Sequence, residues 1–561
     1  MAPPPRPDFT KVTVEESFRT WRTTGHDRTV LVVVRTATTV AHLRDVLAVF
    51  DDDRRIQVVF THDPGRSAVF AAGLAGAIEN LEAPVIPWEL ACSREFDLAL
   101  AASENDDLHR LNAPVVLLPH GLGYQKYYPG TSTIAGMNPE RLVRGERVIP
   151  SAIVLSHSQQ RDLLARACPP AAGRGVVAGD VTLDRLLANR HRAGHYRRAF
   201  GTGNRTLVLL ASTWGPRSLF GTDPALPERL LACLPADEYQ VALSLHAGVW
   251  AHGPWQVRSW LSRAREHGLC LLPEGAGWHA ALLAADLVVS DRGSLSVYAA
   301  ATGTPLLLAG GGEDTTVAGS AMAALAGVAP ALDSRRDLAS QLDAAVHGYT
   351  PTGFAPVVKQ AVDNPGGASV VLRRVLYELL RLPEPQAPAR TSPIPAVTPE
   401  TTPVTAYLVA GTPGGHGVAL RRFPAGPADE TLDYQHRTAH IETARLSEVE
   451  AADVLYLRED DFPRAAAEAL RRWPHARIVA AVSGPDRCVL MTRDTPATEY
   501  TVHAAPGTTR TDPLLVASLA YVRLSQGGRL PRDDRFRLGD RCFTVTATAP
   551  ASPDTGSSSG D

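Results

Sequence analysis

Residues 282–308 read LLAADLVVSDRGSLSVYAAATGTPLLL, and this stretch decides the fold. Leu287 to Ser290 is a short apolar strand that runs into Asp291. Arg292-Gly293-Ser294 turns the chain, and Ser294 or Ser296 is placed to cap a helix through Tyr298. Gly303-Thr304-Pro305 stops that helix, and Leu306 to Leu308 opens a second strand. The unit is β-α-β with a Gly/Ser loop at a helix start. Free N–H groups and the helix dipole favour an anion there. Ligands of open α/β sheets sit at the carboxyl ends of strands, so the loop is placed to meet one.

Working outward, strands are expected at 30–34, 56–60, 98–101, 115–118, 152–155 and 175–177, with helices at 40–50 and 67–81. A second series follows at 207–211, 240–245, 269–272, 287–290 and 306–308, with helices at 227–234, 255–267, 278–284 and 295–301. Strands alternating with helices predict parallel, doubly wound sheets, and two in succession predict a cleft between them. Residues 382–403, LPEPQAPARTSPIPAVTPETTP, form a stiff, extended Pro-rich linker. Beyond it, runs at 406–409, 454–457, 478–482 and 489–492 and a helix at 514–524 suggest a small α+β or α/β accessory domain. The expected division is 1–28 extension, 29–190 and 191–381 doubly wound domains, 382–403 linker, 404–548 accessory domain and 549–561 disordered tail.

Composition narrows the function. The 561 residues carry a formal net charge of −3, against a general nucleic-acid binder or a polybasic membrane protein. No apolar run is long enough to span a bilayer, which leaves peripheral membrane contact open. The N-terminus lacks the apolar core of a signal peptide. Six cysteines without a C-x-x-C pair read as buried free thiols in a reducing cytoplasm. No spacing fits a metal site, and no cofactor is expected. Lysine occurs only at Lys11, Lys126 and Lys359 in an Arg-rich chain, so Lys126 beside a candidate loop is noted.

Four loops carry chemistry-bearing residues. His120-Gly121 follows the strand at 115–118, and an imidazole there suits general-base work on a hydroxyl. Ser212, Thr213 and Arg217 follow the first strand of the second region and could hold phosphates. His246 follows the next strand and could donate to a diphosphate. Gly293, Ser294 and Ser296 are the anion-binding set of the opening stretch, with Asp291 orienting a neighbour or capping the turn. The competing readings are a packed loop histidine, an ordinary Ser/Thr turn and a capped helix without ligand. Gly411 to Gly417 reads as a hairpin turn, His62-Asp63-Pro64 as a turn start, and Trp250, His252, Trp255 and Trp260 as amphipathic packing.

In this order the segments resemble GT-B-type transferases, particularly the CDP-glycerol glycerophosphotransferase family. His120-Gly121 with Lys126 resembles that family's His-Gly loop, the lysine lying one residue further along. Gly179-Asp180 with Asp184 resembles a crossover shared with non-hydrolysing sugar-nucleotide 2-epimerases. Ser212-Thr213-Trp214 resembles a Thr-Trp turn, His246-Ala247 a His-Pro loop, and Ser290 to Ser294 a Thr/Ser-Asp-Tyr-Ser-Ser loop. The resemblance covers about 29–380. It implies two facing domains around a nucleotide diphosphate, and metal-independent transfer of a glycosyl or glycerophosphoryl group to an acceptor hydroxyl. His120 would act as base, and Ser212, Thr213, His246, Gly293, Ser294 and Ser296 would hold the donor. A sugar-nucleotide epimerase and a non-catalytic binding or scaffold protein remain alternatives, since one fold hosts many functions.

Overall fold

The computed structural model describes residues 25–66, 73–119, 121–415, 417–426, 433–458, 461–505, 510–528, 530 and 532–548. His120, His416, the start of the helix expected at 67–81, most of the N-terminal extension and the tail lie outside them.

Two parallel sheets form the body of the chain. The first runs Ile56–Thr61, Arg28–Val33, Leu98–Ala101, Val115–Leu117, Pro150–Leu155, Gly175–Val177. Val30 and Val32 face a core with helices Ala37–Leu47 and Ala368–Leu380, and Leu31 and Val33 face a second core with Trp88 and Leu164. Both faces are covered, so these strands read as unbroken apolar runs. The second sheet runs Cys270–Leu271, Tyr239–Leu245, Thr206–Ser212, Leu287–Ser290, Leu306–Leu308. Its residues also alternate, Leu207 and Leu209 to one core, Val208 and Leu210 to the other. Both sheets are parallel and covered on both faces, the pattern the sequence predicts. The helix expected at 255–267 is two, Pro254–Trp260 and Ser262–Glu266.

Two helices carry the chain between the domains. Helix Val181–Asn189 places Val181 in the first domain's core and Leu183 and Leu186 in the second's. Helix Ala368–Leu380 returns to the first core, with Leu372, Leu376 and Leu380 buried there.

The Pro-rich linker is extended as expected, and it is strapped onto the second domain. Ile394 is 4% exposed within that domain's core. Its N–H donates to Asn189 Oδ1 (3.2 Å) and its carbonyl accepts from the Tyr196 hydroxyl (3.1 Å). Glu400 exchanges two backbone hydrogen bonds with Leu271 (2.8 and 2.9 Å) and accepts both arms of Arg258 (2.6 and 2.9 Å). The linker thus extends the second sheet by one bridge at its edge.

The accessory domain is a mixed sheet closed on itself, where the sequence suggested only a small α+β or α/β unit. Its strands are, in order around the sheet, Ala406–Gly414, Gly417–Pro424, Asp533–Leu538, Arg541–Ala547, Thr498–Ala504, Arg487–Thr492, Ile478–Gly484, Val454–Leu457 and His436–His440. Helix Leu515–Ser525 explains the closure. Every residue from Leu515 to Val522 is buried, so the helix needs cover on all sides. The first two strands form the hairpin read at 411–417.

Other expectations are amended. Among the aromatic residues at 250–260 only Trp250 is core, while Trp255 is 76% and Trp260 48% exposed. Of the free cysteines Cys168, Cys270 and Cys488 are buried, and Cys542 is exposed. No helix of the described residues is long and apolar enough to cross a membrane.

Truncating Ile394 to Ala should cost about 2–5 kcal/mol, the usual range for a buried branched side chain. Thermal unfolding should show a lower Tm, and limited proteolysis should cut within 382–403 more readily. An unchanged Tm would mean the strap is not part of the core.

Candidate functional site

In each sheet the strand order reverses beside the first strand, which opens a crevice at the carboxyl edge. In the second sheet the crevice lies between Thr206–Ser212 and Leu287–Ser290. Thr213 and Asp291 follow those strands and meet across it. Asp291 Oδ2 accepts from the Thr213 N–H (2.8 Å), the Thr213 hydroxyl (2.9 Å) and the Leu219 N–H (2.9 Å). Asp291 is 1% exposed, and its Oδ1 has no hydrogen-bond partner. Burial raises its pKa against the pull of those donors and of Lys126.

Helix Ser294–Thr302 starts from this loop. Its N-cap is Gly293, with no side-chain cap, so neither Ser294 nor Ser296 plays the expected capping part. Gly303 ends it in the left-handed conformation, φ 76°, as the sequence predicts. The Ser296 hydroxyl is fully buried and donates to the Asp291 carbonyl (2.5 Å). The Ser294 hydroxyl, at the first turn, makes no hydrogen bond to a described residue and faces the first domain. A Cβ on Gly121 would lie a tight 3.1 Å from Ser294 Oγ, and its φ of +82° is one that L side chains rarely adopt, so glycine suits this approach.

The first domain also brings Lys126. Its segment pairs with the second domain: Tyr127 N–H to Thr315 O (2.8 Å), and Val317 N–H to Gln125 O (2.9 Å). Gln125 Oε1 accepts from Met322 N–H (2.9 Å). The Lys126 ammonium is mostly buried; burial lowers its pKa, and Asp291 works against the drop. It makes no hydrogen bond or ion pair with a described residue. Lys126, Asp291 Oδ1 and Ser294 are therefore uncommitted polar groups gathered where the two domains meet.

The remaining predicted residues divide by their present partners. Ser212 Oγ accepts from Phe220 N–H (2.9 Å) and donates to the Thr213 carbonyl (3.0 Å), serving the turn itself. Arg217 is 56% exposed at its side chain and pairs with Asp314. His246 Nδ1 accepts from Gly248 N–H (2.9 Å), which leaves the neutral ring's proton on Nε2. Among the described residues no His, Cys, Asp and Glu cluster of three or more could hold a metal.

Sequence reasoning missed a matching arrangement in the first sheet. Arg35 and Asp106 follow the strands on either side of its crevice and pair across it at 2.7 Å. Burial pushes Asp106 up to about 6, against the pull of Arg35. Asp63 Oδ1 accepts from Gly65 N–H (2.9 Å), the turn the sequence suggested, but Asp63 Oδ2, Asp106 Oδ2 and His62 Nδ1 are buried without partners. The available signal was charge placed within a few residues of the ends of apolar strands.

Asp180 and Asp184 of the crossover are structural. Asp180 caps its own helix through Leu183 N–H (2.6 Å) and accepts the Tyr298 hydroxyl at 3.1 and 3.2 Å. Asp184 accepts from Gly366 N–H (2.6 Å) and Ala368 N–H (2.7 Å), at the start of the returning helix. Burial raises Asp180 to about 7 from 3.8, outweighing the bonds from Leu183 and Tyr298. The fold thus favours the protonated acid. That contribution is present below the unfolded pKa and is lost as pH rises through about 7. The Tm advantage of Asp180→Asn over the unaltered chain should therefore widen between about pH 4 and about pH 8. A constant offset across that range would contradict the burial account.

No protein-family model matches the chain, and no curated protein matches it. Solved structures similar over 63% of this chain include the wall teichoic acid polymerase TagF, at 12% identity over 89% of that chain, TM-score 0.43. They also include Anabaena Alr3699/HepE in complex with UDP-glucose, at 15% identity over 100% of that chain, TM-score 0.40. UDP-GlcNAc 2-epimerase from Neisseria meningitidis bound to UDP-GlcNAc is similar over 99% of its chain, at 14% identity and TM-score 0.39.

Proposed function

We propose that this chain is a transferase that moves a glycosyl or glycerophosphoryl group from a nucleotide-diphosphate-activated donor to an acceptor hydroxyl. The observation that carries the reading is the mostly buried Lys126 ammonium. It makes no hydrogen bond with a described residue, and the first domain brings it to Asp291 beside the open helix start at Ser294. A cation, a free hydroxyl and unpaired backbone N–H groups at one crevice suit a diphosphate.

In this reading the donor diphosphate lies between Lys126 and the first turn of Ser294–Thr302, with Gly293 allowing close approach. Asp291 fixes the Thr213 turn beneath it. His246 presents its Nε2 proton to the departing phosphate, and Arg217 is a peripheral contact. His120 takes the proton from the acceptor hydroxyl. The acceptor oxygen then bonds to the anomeric carbon or to phosphorus, and the bond to the nucleotide breaks. The nucleotide leaves as a diphosphate after glycosyl transfer, or a monophosphate after glycerophosphoryl transfer. Preorganised donors stabilise the charge that develops on it.

A thermal-shift screen against CDP, UDP, GDP, ADP and their sugar or glycerol conjugates should give a shift with one base, which names the donor for a turnover assay. His120→Ala should abolish turnover while donor binding persists. Lys126→Met should weaken donor binding about tenfold or more, the worth of one charge-assisted hydrogen bond. Full turnover in His120→Ala would remove the base assignment. No shift with any nucleotide from folded protein would overturn the transferase reading in favour of a non-catalytic role.

A further inference from the structure

A second polar pocket lies at the opposite edge of the same sheet. It has a volume of about 360 Å³ and is walled by the amino ends of the second domain's strands and by the accessory domain. Thr206–Ser212 spans seven residues, so roughly 20 Å separate this pocket from the Thr213–Asp291 crevice.

Four arginines line it: Arg205, Arg422, Arg510 and Arg541. Its carboxylates, Asp237 and Asp512, are both committed to Arg422, at 2.7 and 2.8 Å and at 2.6 Å. Arg205 reaches only the carbonyls of Gly201 (2.7 Å) and Thr202 (3.1 Å), and Arg541 that of Asp237 (2.8 Å). Arg510 makes no hydrogen bond or ion pair with a described residue. Three guanidiniums thus share the pocket without a carboxylate of their own. Burial pushes Arg205 below its usual range against the pull of Cys270 and Asp237, and the like charge of Arg541 adds to the drop. Two more lining residues, Thr202 and Gln240, are 1% and 7% exposed, and Thr202 Oγ1 and Gln240 Oε1 have no partner. Such a wall carries surplus positive charge plus a hydroxyl and an amide oxygen able to meet a ligand hydroxyl.

The geometry points to a binding site for a small phosphate ester bearing hydroxyls, held between the second domain and the accessory domain. Arg205, Arg510 and Arg541 take the phosphate, and Thr202 and Gln240 take a hydroxyl. The ligand joins surfaces from both domains, so its binding ties the accessory domain to the body of the protein.

The test is calorimetric titration of the full chain with inorganic phosphate, glycerol phosphate and CMP. At least one should bind, and an ester binding more tightly than free phosphate shows that the hydroxyl contacts count. In R510A/R541A that binding should weaken about tenfold or more. In K126A, which alters only the cleft, it should persist. If the double variant does not fold, R510A alone is read, because that side chain makes no hydrogen bond or ion pair with a described residue. Absence of binding by all three probes, equal binding in R510A/R541A, or loss in K126A alone would each overturn the site. The K126A arm separates failure of this pocket from failure of the cleft reading.

Discussion

Asp180 and Asp184 lie one helical turn apart and join three elements that otherwise belong to different cores. Asp180 closes the start of helix Val181–Asn189 and receives the Tyr298 hydroxyl. Asp184 closes the start of the returning helix Ala368–Leu380. Each cap is worth only about 0.5–2 kcal/mol. Their larger effect is geometric, because buried polar groups are confined to arrangements that satisfy them. Tyr298 lies one turn beyond Ser294 on the same helix. The carboxylate that holds Tyr298 therefore also sets where Ser294 meets Gly121, at a close spacing.

The parallel sheets were legible because burial on both faces leaves continuous apolar runs. Leu98–Ala101, Gly175–Val177, Leu287–Ser290 and Leu306–Leu308 lie where the sequence placed them, residue for residue. The closed sheet was not legible. Hydrophobic runs locate strands but do not say which strands pair, and closure depends on pairings such as Ala406–Gly414 with His436–His440. One signal was present and under-read: LVASLAYVRLS is apolar on every side, and such a helix must be surrounded.

The candidate site was legible as a set of loops but not as a set of bonds. Thr213 and Asp291 each stood out as polar residues after strands, yet here they bind each other. Ser212 and Ser296 have the right chemistry for an anion, but their hydroxyls already serve their own turns. Arg35 and Asp106 are 71 residues apart and meet only through strand order, so no local spacing could pair them. Sequence proposes which groups are available, and topology decides which of them remain free.

Lys126 is where that distinction matters most. Its backbone pairing with the second domain would serve as well with an apolar side chain, and burying an ammonium costs stability that the charge of Asp291 only partly offsets. Its charge is useful when an anion arrives, and so is the free hydroxyl of Ser294. Asp291 Oδ1 limits which anion. It is a buried acceptor beside the same crevice, so a bare dianion would leave it unsatisfied and repelled. Under the proposed function, a phosphate with a neighbouring hydroxyl would suit all three groups, its oxygens on Lys126 and the helix start and its hydroxyl on Asp291.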